Sequence, residues 1–288
     1  MRNNDNDMMD MTEQTITSVQ NPKVKHLLLL QQKSAERRKT GLFVVEGQRE
    51  LQHCMDAGYE IDSVFYCPEL ATLHPLPSTL HPSPVTLHPS PVTLHLPPST
   101  LHQVSPQVYE KIAYRGSTEG VVALVRTRSR HLEDLQLSEQ PLIVVLERVE
   151  KPGNLGAVLR SADAAKADAV IVCDPLTDLY NPNLIRASIG AIFTVPMVAC
   201  TSDECIAFLK ERGIRILTAQ LQDSYLYYDT DMRQGTAIVM GTESTGLTDQ
   251  WREAADAHIR IPMLGQLDSL NVSVSAAILL FEAVRQRN

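Results

Sequence analysis

Residues 141–288 alternate short, unbroken apolar runs with segments of helical period, and no other feature restricts the fold of this chain as much. Strands are predicted at 142–146, 169–173, 193–198, 214–218, 236–240 and 258–262, with helices at about 154–166, 182–190, 203–212 and 272–286. Strands that are apolar on both faces and alternate with helices require a parallel sheet covered on both sides, an α/β fold. The last helix stands out because Ala276, Ala277, Ile278, Leu279, Leu280 and Phe281 are apolar in a row. That pattern predicts burial on several sides. The loop before it, Ser269-Leu-Asn271-Val-Ser, then falls deep in the protein. Its hydroxyls, amide and backbone N–H groups must pair with one another or with a ligand. N-capping by Ser269 or Asn271 is the simpler use of the same residues.

The first half is organised differently. Residues 1–14 form a polar, acidic tail with no apolar stretch of signal-peptide type. Within 73–102, Leu-His recurs every seven residues, at 73, 80, 87, 94 and 101. A seven-residue period suggests a coiled coil, but proline in most units rules out helix, so extended low-complexity chain is expected. Histidines at this spacing could meet a metal, but nothing fixes their geometry. The segment, bounded at about 71–104, reads as an expansion in a surface loop and is set aside from the fold. Around it, 15–130 reads as one small α/β domain. A helix is predicted from Lys23 to about Lys39, a strand at 42–45, a helix at 49–57 and a strand at 61–66. A short helix at 106–112 and a strand at 121–125 follow the insert. The polar stretch 131–140 reads as a linker.

The formal net charge of −8 weakly opposes a polyanionic partner, but its distribution matters more. Lys23, Lys25, Lys33, Arg37, Arg38, Lys39 and Arg49 face only Glu36 and Glu46 over residues 19–49. The folded first half can therefore present a basic face, although ordinary solvated helix faces would have the same composition. Cys54, Cys67, Cys173, Cys200 and Cys205 include no Cys-x-x-Cys and read as reduced core thiols. Cys200 and Cys205 could be a metal pair, but no partner cluster is visible in sequence and no metal is expected. No apolar run reaches the length of a membrane span. With the polar N-terminus of no signal-peptide type, a cytoplasmic protein is expected.

Ligands of open α/β sheets bind beyond the carboxyl ends of the strands. Two familiar phosphate-binding patterns fail there. Lys151-Pro-Gly-Asn-Leu-Gly is not the dinucleotide fingerprint, and Gly241-Thr-Glu-Ser-Thr-Gly lacks the Walker lysine, with Leu247 in its place. What remains is Asn154-x-Gly156-x-x-x-Arg160, then Gly241-Thr-Glu243-Ser-Thr-Gly246-Leu247, then Ser269-Leu-Asn271-Val-Ser-Val-Ser275. In order, spacing and flanking elements these three motifs resemble the SpoU-type (TrmH) RNA ribose 2′-O-methyltransferases of the SPOUT class. The resemblance covers about 141–288 closely. Thr17-Ser-Val-Gln-Asn-Pro-Lys-Val-Lys and Gly41-Leu-Phe-Val-Val-Glu-Gly are similar to the small ribosomal-protein-like RNA-binding domain that precedes some members.

The resemblance implies a deep trefoil knot in the C-terminal segment, a homodimer and bound S-adenosylmethionine. It implies cofactor contacts from Thr218, Ala219, Gly241, Ile261, Met263 and Leu270, and catalytic roles for Asn154, Arg160, Glu243, Ser269 and Asn271. Arg160 would lie at the ribose hydroxyl and target phosphate, with Asn154 orienting Arg160 or the nucleotide. Each residue has a plainer use. Arg160 could form a helix-surface ion pair, Asn154 an N-cap, and Glu243 a pair with any neighbouring arginine. The implied substrate is ribosomal RNA of the 23S type, with transfer RNA, or RNA binding without catalysis, as alternatives.

Overall fold

The computed structural model describes residues 15–71, 100–114, 119–242 and 245–288. The N-terminal half begins with helices α1 (Pro22–Gln32) and α2 (Ser34–Thr40). It continues through β1 (Leu42–Glu46), α3 (Gln48–Asp56), β2 (Ile61–Tyr66), β3 (Leu101–Gln103), α4 (Pro106–Ile112) and β4 (Val121–Arg126). The strands form a sheet in the order β1-β4-β2-β3, antiparallel except for the β2/β3 pair.

Two sequence expectations change here. The single helix expected over 23–39 is broken at Lys33, which is extended at φ −115° and ψ 108°. The break lets the buried Arg37 fold back and donate to the carbonyls of Leu30 and Gln31. These are the orphan acceptors at the end of α1. The set-aside segment is also too wide. Its last Leu-His unit is strand β3, parallel to β2, and Val104 bridges to Ile16. His102 packs edge-on against Phe65 at 5.3 Å and lies 3.0 Å from the Lys23 ammonium, so this unit has tertiary partners. Residues 72–99 of the repeat lie outside the described residues.

The second half runs β5 (Leu142–Glu147), α5 (Pro152–Ala164), β6 (Ala169–Cys173), α6 (Pro182–Ser188), α7 (Ala191–Thr194), β7 (Met197–Cys200) and α8 (Ser202–Glu211). It finishes with β8 (Arg215–Ala219), β9 (Tyr225–Leu226), β10 (Thr236–Met240), α9 (Asp249–Ala254), β11 (Ala257–Arg260) and α10 (Val272–Arg287). Seven parallel strands pair in the order β7-β6-β5-β10-β8-β11-β9. Strand β10 enters between β5 and β8, and the direction of winding reverses there. The predicted strand over 193–198 shifts to Met197–Cys200, because Gly190, at φ +87°, starts the short α7. Pro196 then forces the preceding Val195 out of helix. Strand β9 and helix α9 were not legible, since one is two residues long and the other largely polar.

The two faces of the large sheet have separate cores. Helices α8 and α9 cover one face, together with Leu132 and Leu135 from the stretch read as a linker. That stretch is anchored, because the Asp168 carboxylate accepts from the backbone N–H groups of Ser138 at 2.7 Å and Leu142 at 2.8 Å. Helices α5, α6, α7 and α10 cover the other face, whose core runs without interruption into the N-terminal sheet. Phe43 stacks on Tyr180 at 4.5 Å, Tyr59 meets Phe193 edge-on, and Arg37 pairs with Asp178 at 2.6 Å. Helix α10 buries Ala276, Leu279, Leu280 and Ala283 but leaves Val274 and Phe281 about half exposed. Burial on several sides is therefore not realised within one chain.

Candidate active site

The carboxyl ends of β8, β10 and β11 open into a cavity of about 330 Å³, closed by the loop before α10. That volume lies within the range of small-molecule sites. Its floor is Met240 and Gly241, one side is Ala219 and Gln220, and the far wall is Ile261, Met263, Ser269 and Leu270. Gly241 is dictated by a close backbone crossing. A Cβ there would lie 2.2 Å from the carbonyl carbon and oxygen of Gly246. The crossing is pinned by a two-way bridge, Gly246 N–H to the Thr242 carbonyl at 3.0 Å and Thr242 N–H to the Gly246 carbonyl at 3.3 Å. Beyond this turn the buried Glu147 carboxylate accepts from the Thr248 hydroxyl at 2.6 Å and its backbone N–H at 2.9 Å, tying the end of β5 to the start of α9.

A second, smaller cavity lies at the end of β5, lined by Glu147, Glu150, Lys151 and Asn154. It shares Gly241, Thr242 and Val272 with the first. The pair thus straddles the β5/β10 boundary where the winding reverses, which is where open α/β sheets bind ligands. Asn271 joins the two walls. Its side-chain oxygen caps α10 by accepting from Ser273 N–H at 2.9 Å, and its amide donates to Asn154 Oδ1 at 3.2 Å. Two polar atoms in the wall of the larger cavity are buried without a partner among the described residues: the acceptor Gln220 Oε1 and the donor Arg252 Nε. Buried polar groups are normally paired, so both require an explanation.

Ala219, Gly241, Ile261, Met263, Ser269 and Leu270 come together around the larger cavity, and Asn154 and Asn271 meet at the smaller one. Asn154 is not the N-cap of α5, a position held by Lys151, but stands in the first turn. The loop 264–271 is exposed, against the expectation of a deep polar loop. It lies over the cavity mouth as a wall. Thr218 is fully buried between β10 and β11, and its hydroxyl lies 2.6 Å from His258 Nδ1, so it does not line the cavity. Arg160 is exposed on α5, about 9 Å along the helix from Asn154, and lines neither cavity. It has no ion pair among the described residues. Glu243 lies outside the described residues. Sequence reasoning missed Gln220, Arg252 and Arg260. Arg252 and Arg260 carry no motif, and only the fold brings them to the cavity.

Comparison with known proteins places these features in a family. Residues 141–281 match the SpoU rRNA Methylase family, and residues 21–123 match the MRM3-like substrate binding domain. The 23S rRNA (guanosine-2′-O-)-methyltransferase RlmB of Vibrio cholerae is 36% identical over 192 residues, which is 64% of this chain and 77% of that protein. A crystal structure of an RNA 2′-O ribose methyltransferase superposes with a TM-score of 0.75 at 37% identity, covering 95% of this chain and 99% of that one. The AdoMet-bound rRNA methyltransferase from Sinorhizobium meliloti superposes with a TM-score of 0.78 at 28% identity, over 94% and 97% of the two chains.

Proposed function

The chain belongs to the SpoU rRNA methylase family, and we propose that it transfers the methyl group of S-adenosylmethionine to a ribose 2′-hydroxyl of ribosomal RNA. One observation carries the reading: the cavity at the winding reversal is walled by all three of the sequence motifs or their immediate neighbours. The cavity fits this cofactor on its own terms. Gly241 keeps the floor free of a side chain, and Gln220 and Arg252 in its wall each carry a buried polar atom without a partner among the described residues. Gly241, Ile261, Met263 and Leu270 would hold the cofactor through backbone groups, with Ala219 at the side.

S-adenosylmethionine supplies an electrophilic methyl group, and the reaction leaves S-adenosylhomocysteine and a proton. The chain's own task is to place and polarise a hydroxyl that is a poor nucleophile. Asn154 stands in the first turn of α5, where the helix field favours an anion. Asn271 fixes the Asn154 carboxamide, and Ser269 lines the cavity mouth beside them. Arg160 would clamp the target phosphate and stabilise developing alkoxide charge. A guanidinium with a pKa above about 12 is ill suited to act as a base. Glu243 would brace the site from the loop it belongs to.

The N-terminal domain selects the RNA by shape and phosphate contacts. Lys23, Lys25, Lys33, Arg38 and Lys39 are exposed along α1 and α2, whereas Arg37 is spent on Asp178. The same reading includes the trefoil knot and the homodimer. The insertion of β10 between earlier and later strands supports the knot, and the exposed Val274 and Phe281 give α10 an apolar surface for a second copy. No helix among the described residues is long and apolar enough to cross a membrane. The reading includes a cytoplasmic protein, since that is where a ribosomal RNA substrate would be met. The test is methyl transfer from labelled S-adenosylmethionine to unmodified ribosomal RNA, with products mapped for 2′-O-methylation. Wild-type protein should label one ribose, and Arg160→Ala should lose about 2–4 kcal/mol of transition-state stabilisation. Full transfer by Arg160→Ala would overturn its role, and no heat on adding S-adenosylmethionine in calorimetry would overturn the enzyme reading.

A further inference from the structure

Only Cys200 and Cys205 are close in sequence, but a third thiol joins them in space. The sulfur ligand atoms of Cys173, Cys200 and Cys205 all lie within 4.8 Å of one another. Strand register produces the convergence, because Cys173 at the end of β6 is the direct partner of Cys200 at the end of β7. The chain then enters α8 at once, through a capping box between Thr201 and Glu204, and this sets Cys205 over the two strand ends. All three thiols are free, with Cys173 and Cys205 buried and Cys200 half-buried at the edge. The cluster lines neither of the cavities described above.

We propose that Cys173, Cys200 and Cys205 bind one thiophilic dication of the Zn²⁺ class, with an open fourth position on the solvent side of Cys200. Three features carry this. The donors are three thiols, the ligand type that such ions prefer. With metal–sulfur bonds of about 2.3 Å, sulfurs around one ion stand about 4 Å apart, which the observed spacing accommodates. The frame is also rigid before binding, since two paired strands and a capped helix set the positions. A packing role alone would account for two buried thiols, but not for the half-buried third turned onto the same point. Binding replaces the three thiol protons with one dication. Each sulfur keeps its electron pair for the metal bond, and the protons go to solvent. The ion would staple β6, β7 and α8 at the end of the sheet. A hydrogen-bonded relay, part-buried at Asp174, leads from there towards the cavity. Trp251 Nε1 donates to Ser202 Oγ at 3.0 Å, Ser202 Oγ donates to Asp174 Oδ2 at 2.7 Å, and Trp251 precedes the cavity residue Arg252.

The proposal is independent of the methyl-transfer reading and is tested without it. The full-length, reduced protein is titrated with Cd²⁺ while thiolate-to-cadmium absorption is followed in the ultraviolet. Fluorescence of Trp251, the sole tryptophan, is followed alongside. The expected result is saturation at one ion per chain, displacement by Zn²⁺, and a change in Trp251 emission over the same range. Cys200→Ser is the decisive variant because its site is half-buried and the hydroxyl is small. With its fold checked by circular dichroism, it should weaken Cd²⁺ binding by more than about tenfold. Absence of the absorption band at stoichiometric Cd²⁺ would overturn the proposal. So would a band that Cys200→Ser retains at full strength, since cadmium would then be held by thiols without Cys200.

Discussion

The two walls of the larger cavity are built on opposite principles. The wall formed by Met240, Gly241, Thr242, Gly246 and Leu247 is backbone packed on backbone, where even one methyl group at Gly241 has no room. The wall from Met263 to Asn271 is exposed chain, with Leu264 95% and Leu267 76% accessible, tied at its far end by Asn271. A rigid wall can define the shape of a small molecule, while an open wall gives access to a large one. On the proposed reading, the contrast would separate cofactor recognition from substrate entry.

Four substitutions or conditions would break or sharpen this contrast, taken from the largest expected effect to the smallest. Gly241→Ala should be the most damaging. It forces the 241–247 turn apart, abolishing S-adenosylmethionine binding in calorimetry and costing about 1–3 kcal/mol in urea unfolding. Unchanged binding in this variant would mean that the rigid wall is not the recognition surface. Asn271→Ala removes both the cap of α10 and the tie to Asn154. It should cost about 1 kcal/mol of stability and reduce kcat by about a hundredfold, with a smaller change in cofactor Kd. Asn154→Ala removes the tie but not the cap. Its stability should stay within about 0.5 kcal/mol of wild type while methyl transfer falls. Combining the two changes in a double-mutant cycle should show less than additive loss, and strict additivity would deny the clasp. The smallest effect concerns the far half of α10, the helix that follows the open wall. The hydrogen bond from Arg285 holds the Glu282 carboxyl below its ordinary value, despite its burial. Its stabilisation of α10 is therefore complete above the unfolded carboxylate range and is lost as pH falls through the lower folded value. Glu282→Gln should flatten the acid limb of a stability–pH profile, and an unchanged limb would remove this pair from the account.

The parallel sheet was readable because its strands are apolar on both faces, and Leu142–Glu147, Ala169–Cys173 and Thr236–Met240 need no partner to declare themselves. Strand β7 was misplaced because Ala191–Thr194 is as apolar as a strand, and only Gly190 and Pro196 reveal the helix. The cavity residues on motifs were legible through spacing. Gln220 and Arg252 were not, because they reach the cavity through strand order, and β10 lands between β5 and β8 for reasons that no local pattern records. Ser269–Asn271 was read as buried because of the apolar helix that follows, whereas these residues are exposed and form a rim. Cys173 was separated from its two companions by sequence distance and is returned to them by register.

The shared core of the two sheets has a mechanical consequence. Phe43 against Tyr180 and Arg37 against Asp178 join the N-terminal helices and sheet directly to the large sheet that carries the cavities. The reach from one to the other is then a constant of the fold, as in a caliper whose jaws have been locked. On the proposed reading, a protein built this way would gauge its RNA: a ribose would be modified when it lies the right distance from the gripped backbone, and a nucleotide one step out of register would simply be the wrong length.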